Sequence, residues 1–243
     1  MAHSLLHQIL VSDLVIPLAL AQPPSQETLP RFGARLADDT CLRADLMVVE
    51  RTRIPADGWY VVGPPLLAIE VTSEASGHDD LGPKKDLWAR FGVPSYWVVH
   101  PGAKQPRVHV FELDGDAYVE RAELTGGKPY VVKEPFEIEL APAEIFGRPA
   151  QRPAAAKGRT TMTQQTGRDL PAADETISID TFGFRWPTGA EKAELWDGCP
   201  VFYGVWDERD VAIAERAYPG RVVRLDQEPG RPGTLRVLPA GSD

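Results

Sequence analysis

The stretch Leu66-Leu-Ala-Ile-Glu-Val-Thr72 decides the fold. It is short, apolar and rich in branched residues, the composition of a buried strand, yet Glu70 stands inside it. A carboxylate there is costly unless a cation or hydrogen bonds offset it. Upstream, Leu42 to Glu50 repeats the pattern, with Asp45 interrupting Leu42-Arg-Ala-Asp-Leu-Met-Val-Val49. Pro55-Ala-Asp-Gly58 predicts a turn between the two runs and Gly63-Pro-Pro65 a second break. Downstream, Asp80 to Phe91 carries Leu81, Lys84, Leu87, Trp88 and Phe91 at helical spacing, and Gly92 follows as a stop.

Further out, Tyr96–His100, Arg107–Leu113 and Ala117–Leu124 read as strands, with a hairpin turn at Asp114-Gly115. Ser4 to Ile16 has helical spacing of Leu6, Ile9, Leu10 and Leu14, and Pro17 is expected to limit that helix. A Pro-rich polar loop separates it from Leu42, and Pro142 to Phe146 predicts a closing helical turn. Strands interleaved with helices define an α/β class, a mixed central sheet flanked by helices.

From Arg148 the chain is rich in Pro, Ala, Thr, Gln and Gly without hydrophobic period, a linker composition. The expected organisation is therefore a first domain over residues 1–147, a linker over 148–176, and a small α+β region over 177–243. In that last region a strand and turn are expected at Ala193–Tyr203, a helix at Asp207–Ala217, and strands near Val222 and Leu235. No internal repeat of fixed period is visible. The region is small enough to predict docking on the first domain or on a protein partner.

The 243 residues are 43% apolar and 25% charged, a soluble globular composition with a formal charge of -9. Such an acidic balance opposes sequence-independent nucleic-acid binding, where neutralising phosphates supplies most of the affinity. Contact with DNA then has to be local, metal-bridged or aided by a partner. Cys41 and Cys199 stand alone, so neither a zinc site nor a disulfide framework is indicated, and a reducing cytoplasm fits. The opening apolar stretch ends in Leu18-Ala-Leu-Ala-Gln22, but no Lys or Arg stands near its start and Asp13 and Pro17 interrupt it. Neither a secretory leader nor a membrane span is expected.

Asp45 and Glu70 on adjacent strands can share one divalent ion, and the Val71 carbonyl can complete the oxygen ligands. Hard oxygen donors suit Mg²⁺ or Mn²⁺. Such an ion stabilises the charge of a phosphodiester transition state. A cation that orients the nucleophile is still needed.

Three ordered pieces carry a family resemblance: Ala68-Ile-Glu-Val-Thr-Ser73, Asp80-Leu-Gly-Pro-Lys84 and Gly92-Val-Pro-Ser-Tyr-Trp-Val-Val99. Together they resemble the bacterial Uma-type putative restriction endonucleases, a branch of the PD-(D/E)XK nucleases, over about Ser4 to Phe146. The resemblance implies a restriction-endonuclease-like core and Mg²⁺- or Mn²⁺-dependent hydrolysis of DNA. In the superfamily a lysine usually follows the second acidic residue at the position of Thr72. Here the resemblance places it on the next helix, as Lys84, with Lys85 turned away from it. Asp80 would steady Lys84, and His7 lies near the family's histidine position.

The departures are Ala44 for a proline before Asp45, Glu74 for a proline after Ser73, and His100 for an aspartate after the Tyr-Trp strand. The family also has a strand pair of the type Glu-Leu-x-Asp-Gly ahead of its first helix. None precedes it here, whereas Ala193-Glu-Leu-Trp-Asp-Gly198 has that form, as a fusion or a permuted order would produce.

Each residue also has a plainer reading. Asp45 and Glu70 can be strand carboxylates satisfied by Arg35, Arg43 or backbone amides. Asp80 and Lys84 can be an ordinary i, i+4 ion pair, and His7 a packed helix residue. The rival function is a catalytically inactive nuclease-like domain serving as a DNA-binding or protein-interaction module. A homodimer is a further expected assembly.

Overall fold

The computed structural model describes residues 5–72, 77–101, 106–146, 170–182, 190–228 and 232–242. In chain order the elements are α1 (Leu5–Ala21), β1 (Gln26–Pro30), β2 (Gly33–Ala37), β3 (Thr40–Arg43), β4 (Leu46–Glu50), β5 (Tyr60–Val62) and β6 (Leu67–Val71). Next come α2 (Gly77–Leu81), α3 (Pro83–Arg90), β7 (Ser95–His100), β8 (Arg107–Asp114), β9 (Ala117–Thr125), β10 (Tyr130–Val132), β11 (Ile138–Leu140) and α4 (Pro142–Ile145). The remainder is α5 (Ile179–Phe182), β12 (Lys192–Trp196), β13 (Cys199–Gly204), α6 (Glu208–Ala217), β14 (Val222–Asp226) and β15 (Gly233–Leu238).

The first sheet has the order β1-β4-β6-β7-β8-β9. Its β6–β7 pair is parallel and the others antiparallel, the mixed sheet expected of the α/β class. Strand alternation gives it two different faces. Leu46, Val48, Leu67, Ile69, Val71, Trp97 and Val99 point to α1, where Leu10, Leu14 and Leu18 complete a wholly apolar core. The opposite face carries Met47, Val49, Ala68, Tyr96, Val98 and Phe111, packed against Leu87 and Trp88 of α3. Glu70 belongs to the second face, since it alternates with Ile69 and Val71.

The second sheet runs β14-β15-β13-β12-β3-β2-β5. It joins strands from both sides of the linker, because β12 lies beside β3 with Leu195 opposite Cys41. The same second core holds Ala34 and Leu42 from the first region together with Trp196, Val201 and Tyr203 from the other. A third core lies around Phe182, Phe202, Tyr218 and Leu235. The elements expected after residue 177 are all present, and α6 is started by an Asp207 capping box.

Four local expectations are corrected. The single strand over Leu42–Glu50 is two, because the chain leaves the second sheet at Arg43 and enters the first at Leu46. Asp45 lies at that crossing, its amide donating to the Ile69 carbonyl at 3.1 Å. The continuous helix over Asp80–Phe91 is broken into α2 and α3 at Gly82-Pro83. Proline supplies no N–H and bars the preceding residue from helical backbone, while serving well as a first helical residue.

Pro17 does not limit α1, which runs on to Ala21. The lost hydrogen bond is outweighed by Leu18, which is fully buried beyond it. Finally, the loop before Leu42 contains β1 and β2, short strands whose pairing supplies what their mixed sequence does not. The linker at 148–176 lies outside the described residues as far as residue 169. Among the described residues no helix is long and apolar enough to cross a membrane, and Cys41 and Cys199 are both free thiols.

Candidate active site

Asp45, at the crossing between β3 and β4, bonds to the residue after Glu70 of β6, and Glu70 pairs with Lys84 of α3. Their exposures of 5%, 1% and 0% make this a buried set of charges. Lys84, in the first turn of α3, brings Nζ to 2.6 Å from Glu70 Oε1 and donates to the Arg43 carbonyl at 3.1 Å. The break at Gly82-Pro83 sets the direction of this turn and so aims the lysine inward. Asp45 Oδ2 accepts from the Val71 amide at 2.9 Å and lies 3.1 Å from His7 Nε2.

Two further charges enter from across the linker. Lys192 and Glu194 are two apart on β12 and so share a face. Lys192 Nζ donates to Glu70 Oε2 at 2.9 Å and lies 3.6 Å from Glu194 Oε1. Glu194 Oε1 is 2.9 Å from Lys84 Nζ and accepts from the Arg43 amide at 2.7 Å. Its Oε2 accepts from Trp196 Nε1 and from the Tyr203 hydroxyl, each at 3.1 Å.

These surroundings separate the carboxylates. Burial alone would raise the Asp45 carboxyl, but Lys192, the His7 bond and the Val71 amide together hold it well below the carboxylate range. Burial likewise opposes ionisation of Glu194, and Lys192, Lys84 and the Arg43 amide overcome it, so its proton affinity is lowered. At Glu70 burial wins. Lys192 and Lys84 favour its charge, yet desolvation with Asp45 and Glu194 nearby raises it. Lys192 itself is desolvated, which alone would lower it, and Glu194, Glu70 and Asp45 keep it firmly protonated.

The supporting residues are distributed around this centre. Asp80 is buried, its backbone carbonyl accepts from the Tyr96 hydroxyl at 2.8 Å, and its charge bears on Lys192 and Tyr203. Thr72 Oγ1 is 2.9 Å from His100 Nδ1, so the position usual for the lysine holds a threonine–histidine contact. Val71 meets Asp45 through its N–H. Lys85 points elsewhere, with Nζ 4.8 Å from the Phe111 ring centre.

Lys192 and Glu194 were not among the residues the sequence singled out for chemistry. The signal was present, since Glu194 interrupts the apolar Ala193–Trp196 just as Asp45 and Glu70 interrupt theirs. Their position across the linker made them look like part of a separate unit.

The family model for Uma2, described as putative restriction endonuclease, matches residues 2–143. The chain belongs to that family, and its class is that of a nuclease. Among solved structures it is similar to a crystal structure titled a putative nuclease belonging to DUF820 from Anabaena variabilis ATCC 29413. That match has 16% identity and a TM-score of 0.46, and covers 58% of this chain and 80% of the other. No curated protein sequence matches the chain.

Proposed function

We propose that the chain is a metal-dependent endonuclease that hydrolyses DNA phosphodiester bonds at a PD-(D/E)XK-type site, with Asp45, Glu70 and Lys84 as its working residues. The observation that carries this reading is the meeting of Lys84 with Glu70 at 2.6 Å, beside an Asp45 bonded to the next residue of the same strand. Membership of the Uma2 family supports it.

The donor set fits a small divalent cation in kind. Glu70 accepts from a buried ammonium, that of Lys192, whose charge also acts on Asp45, so the site already balances its charge with a cation. Asp45, Glu70 and the Val71 carbonyl would hold Mg²⁺ or Mn²⁺, which suits hard oxygen ligands. When bound, the ion lowers the proton affinity of water and offsets charge on the phosphate.

The protein groups do the rest. Lys84 orients the attacking water and offsets negative charge as the water oxygen bonds to phosphorus. The attacking water gives up a proton to solvent, the bridging P–O bond breaks, and the leaving oxygen takes up a proton from solvent. Asp80 and His7 act as positioning residues, His7 through its bond to Asp45. Thr72 fills the vacated lysine position. The net charge of -9 means that DNA is gripped locally rather than by the whole surface.

One observation favours the rival reading, a catalytically silent module that binds DNA or protein. Lys84, Glu70, Lys192 and Glu194 pair among themselves, which lets the centre serve the fold alone.

Plasmid cleavage with Mg²⁺ or Mn²⁺ separates the two readings, using wild type, Asp45→Asn, Glu70→Gln and Lys84→Ala at matched folding. The nuclease reading expects each variant to lose about a hundredfold or more of the rate, the scale of removing one transition-state contact. Equal behaviour of all four proteins would sink it.

A further inference from the structure

Lys192 is the residue that the nuclease reading leaves unexplained. It is 7% exposed, donates to Glu70 at 2.9 Å, lies 3.6 Å from Glu194, and acts by its charge on Asp45. Glu70 and Asp45 are the two carboxylates assigned to the ion. An ammonium and a divalent cation both answer the same need, positive charge among buried oxygens, and crowding both together would be repulsive.

Glu194 differs from its neighbours because it is already fully engaged. Arg43, Trp196, Tyr203 and Lys84 hold its two oxygens from several sides. It fixes β12 in place, whereas the lysine two residues earlier extends toward Glu70. The long, flexible lysine stem can withdraw its head while the strand stays anchored.

We propose that Lys192 is an intrinsic counter-cation, which the strand beyond the linker places against Glu70 and which a divalent ion must displace to load the site. This rests on the metal-site reading above. It makes Lys192 a residue that sets metal affinity, and it makes the region after the linker a regulator of the site in the first region. Without an ion the lysine satisfies the carboxylates and keeps the fold intact. Once an ion binds, Lys192 swings clear of Glu70.

The test is Mn²⁺ binding by titration calorimetry, checked by the Mn²⁺-dependent rise in melting temperature, on the full chain. Wild type is compared with Asp45→Asn, with Lys192→Met, with Lys192→Met/Glu194→Gln, and with Asp45→Asn/Lys192→Met. The double variant at 192 and 194 removes one charge of each sign, so it guards against a Lys192→Met protein that fails to fold.

Removing the lysine is expected to tighten Mn²⁺ binding by at least about tenfold and to enlarge the melting shift accordingly. Adding Asp45→Asn should cancel the gain. If the variants bind no tighter than wild type while wild-type binding still depends on Asp45, the counter-cation role is overturned and the metal site stands. If no form takes up Mn²⁺, the metal reading fails and the inference falls with it.

Discussion

The regions before Phe146 and after Leu170 contribute to the centre in opposite ways. The first supplies Asp45 from the crossing between β3 and β4, Glu70 from β6 and Lys84 from α3. The second supplies Lys192 and Glu194 from one strand, whose family-like piece is the Glu194-Leu-Trp-Asp-Gly198 form. Yet Glu194 is held by the Arg43 amide, Trp196, Tyr203 and Lys84 together, and Lys192 bonds to the strand that decides the fold. The comparison teaches that a charged site need not end where its motifs end. Three buried carboxylates need cations, and here one comes from a segment distant in sequence. We infer that residues 177–243 belong to the same folding unit as residues 1–147.

Lys84→Met tests that junction most severely. Lys84 lies 2.6 Å from Glu70 and 2.9 Å from Glu194, so the substitution withdraws one cation from two buried carboxylates belonging to different regions. Breaking a buried pair in this way is expected to cost about 3–5 kcal/mol in urea denaturation. A loss under about 1 kcal/mol would mean that neither carboxylate is held through Lys84, and the regions would not be joined there.

The contrast also shows what a sequence displays. Asp45 and Glu70 are legible because a carboxylate in an apolar run is an anomaly, and Lys84 because Gly92-Val-Pro-Ser-Tyr-Trp fixes its place on the following helix. The strand at Leu67–Val71 and the helix carrying Leu87 and Trp88 were readable from periodicity. The crossing of Asp45 from one sheet to the other was not, since Leu42 to Glu50 is apolar on both sides of the break. Nor was the neighbourhood of Lys192, because strand pairing over such a separation leaves no local mark. Only the Glu194-Leu-Trp-Asp-Gly198 form hinted that the region after the linker carries a piece of the family's pattern.

Leu195→Ala tests the shared sheet rather than the shared charges. Leu195 is completely buried and sits opposite Cys41 where β12 meets β3. Truncating a leucine in such a place costs about 2–5 kcal/mol. If both regions fold as one unit, fluorescence and circular dichroism report a single transition displaced to lower urea. If they fold separately, a minor early transition appears and the main one stays where it was. That second result would restore two independent domains.

Asp197→Asn is the mildest probe and the one most specific to the outer edge of the junction. Asp197 accepts from both terminal nitrogens of Arg90, at the end of α3, and so ties the β12–β13 turn to the helix that carries Lys84. Both side chains are about half exposed, and water and salt screen such pairs strongly. The turn itself should survive, because Asp197 has φ +49° and asparagine tolerates that left-handed backbone almost as well as glycine. The expected loss is therefore about 0.2–1 kcal/mol at low salt, vanishing near 1 M NaCl. A salt-insensitive loss of the size expected for Leu195→Ala would place the pair inside the packed junction. The outer edge would then hold the two regions together as firmly as the buried charges do.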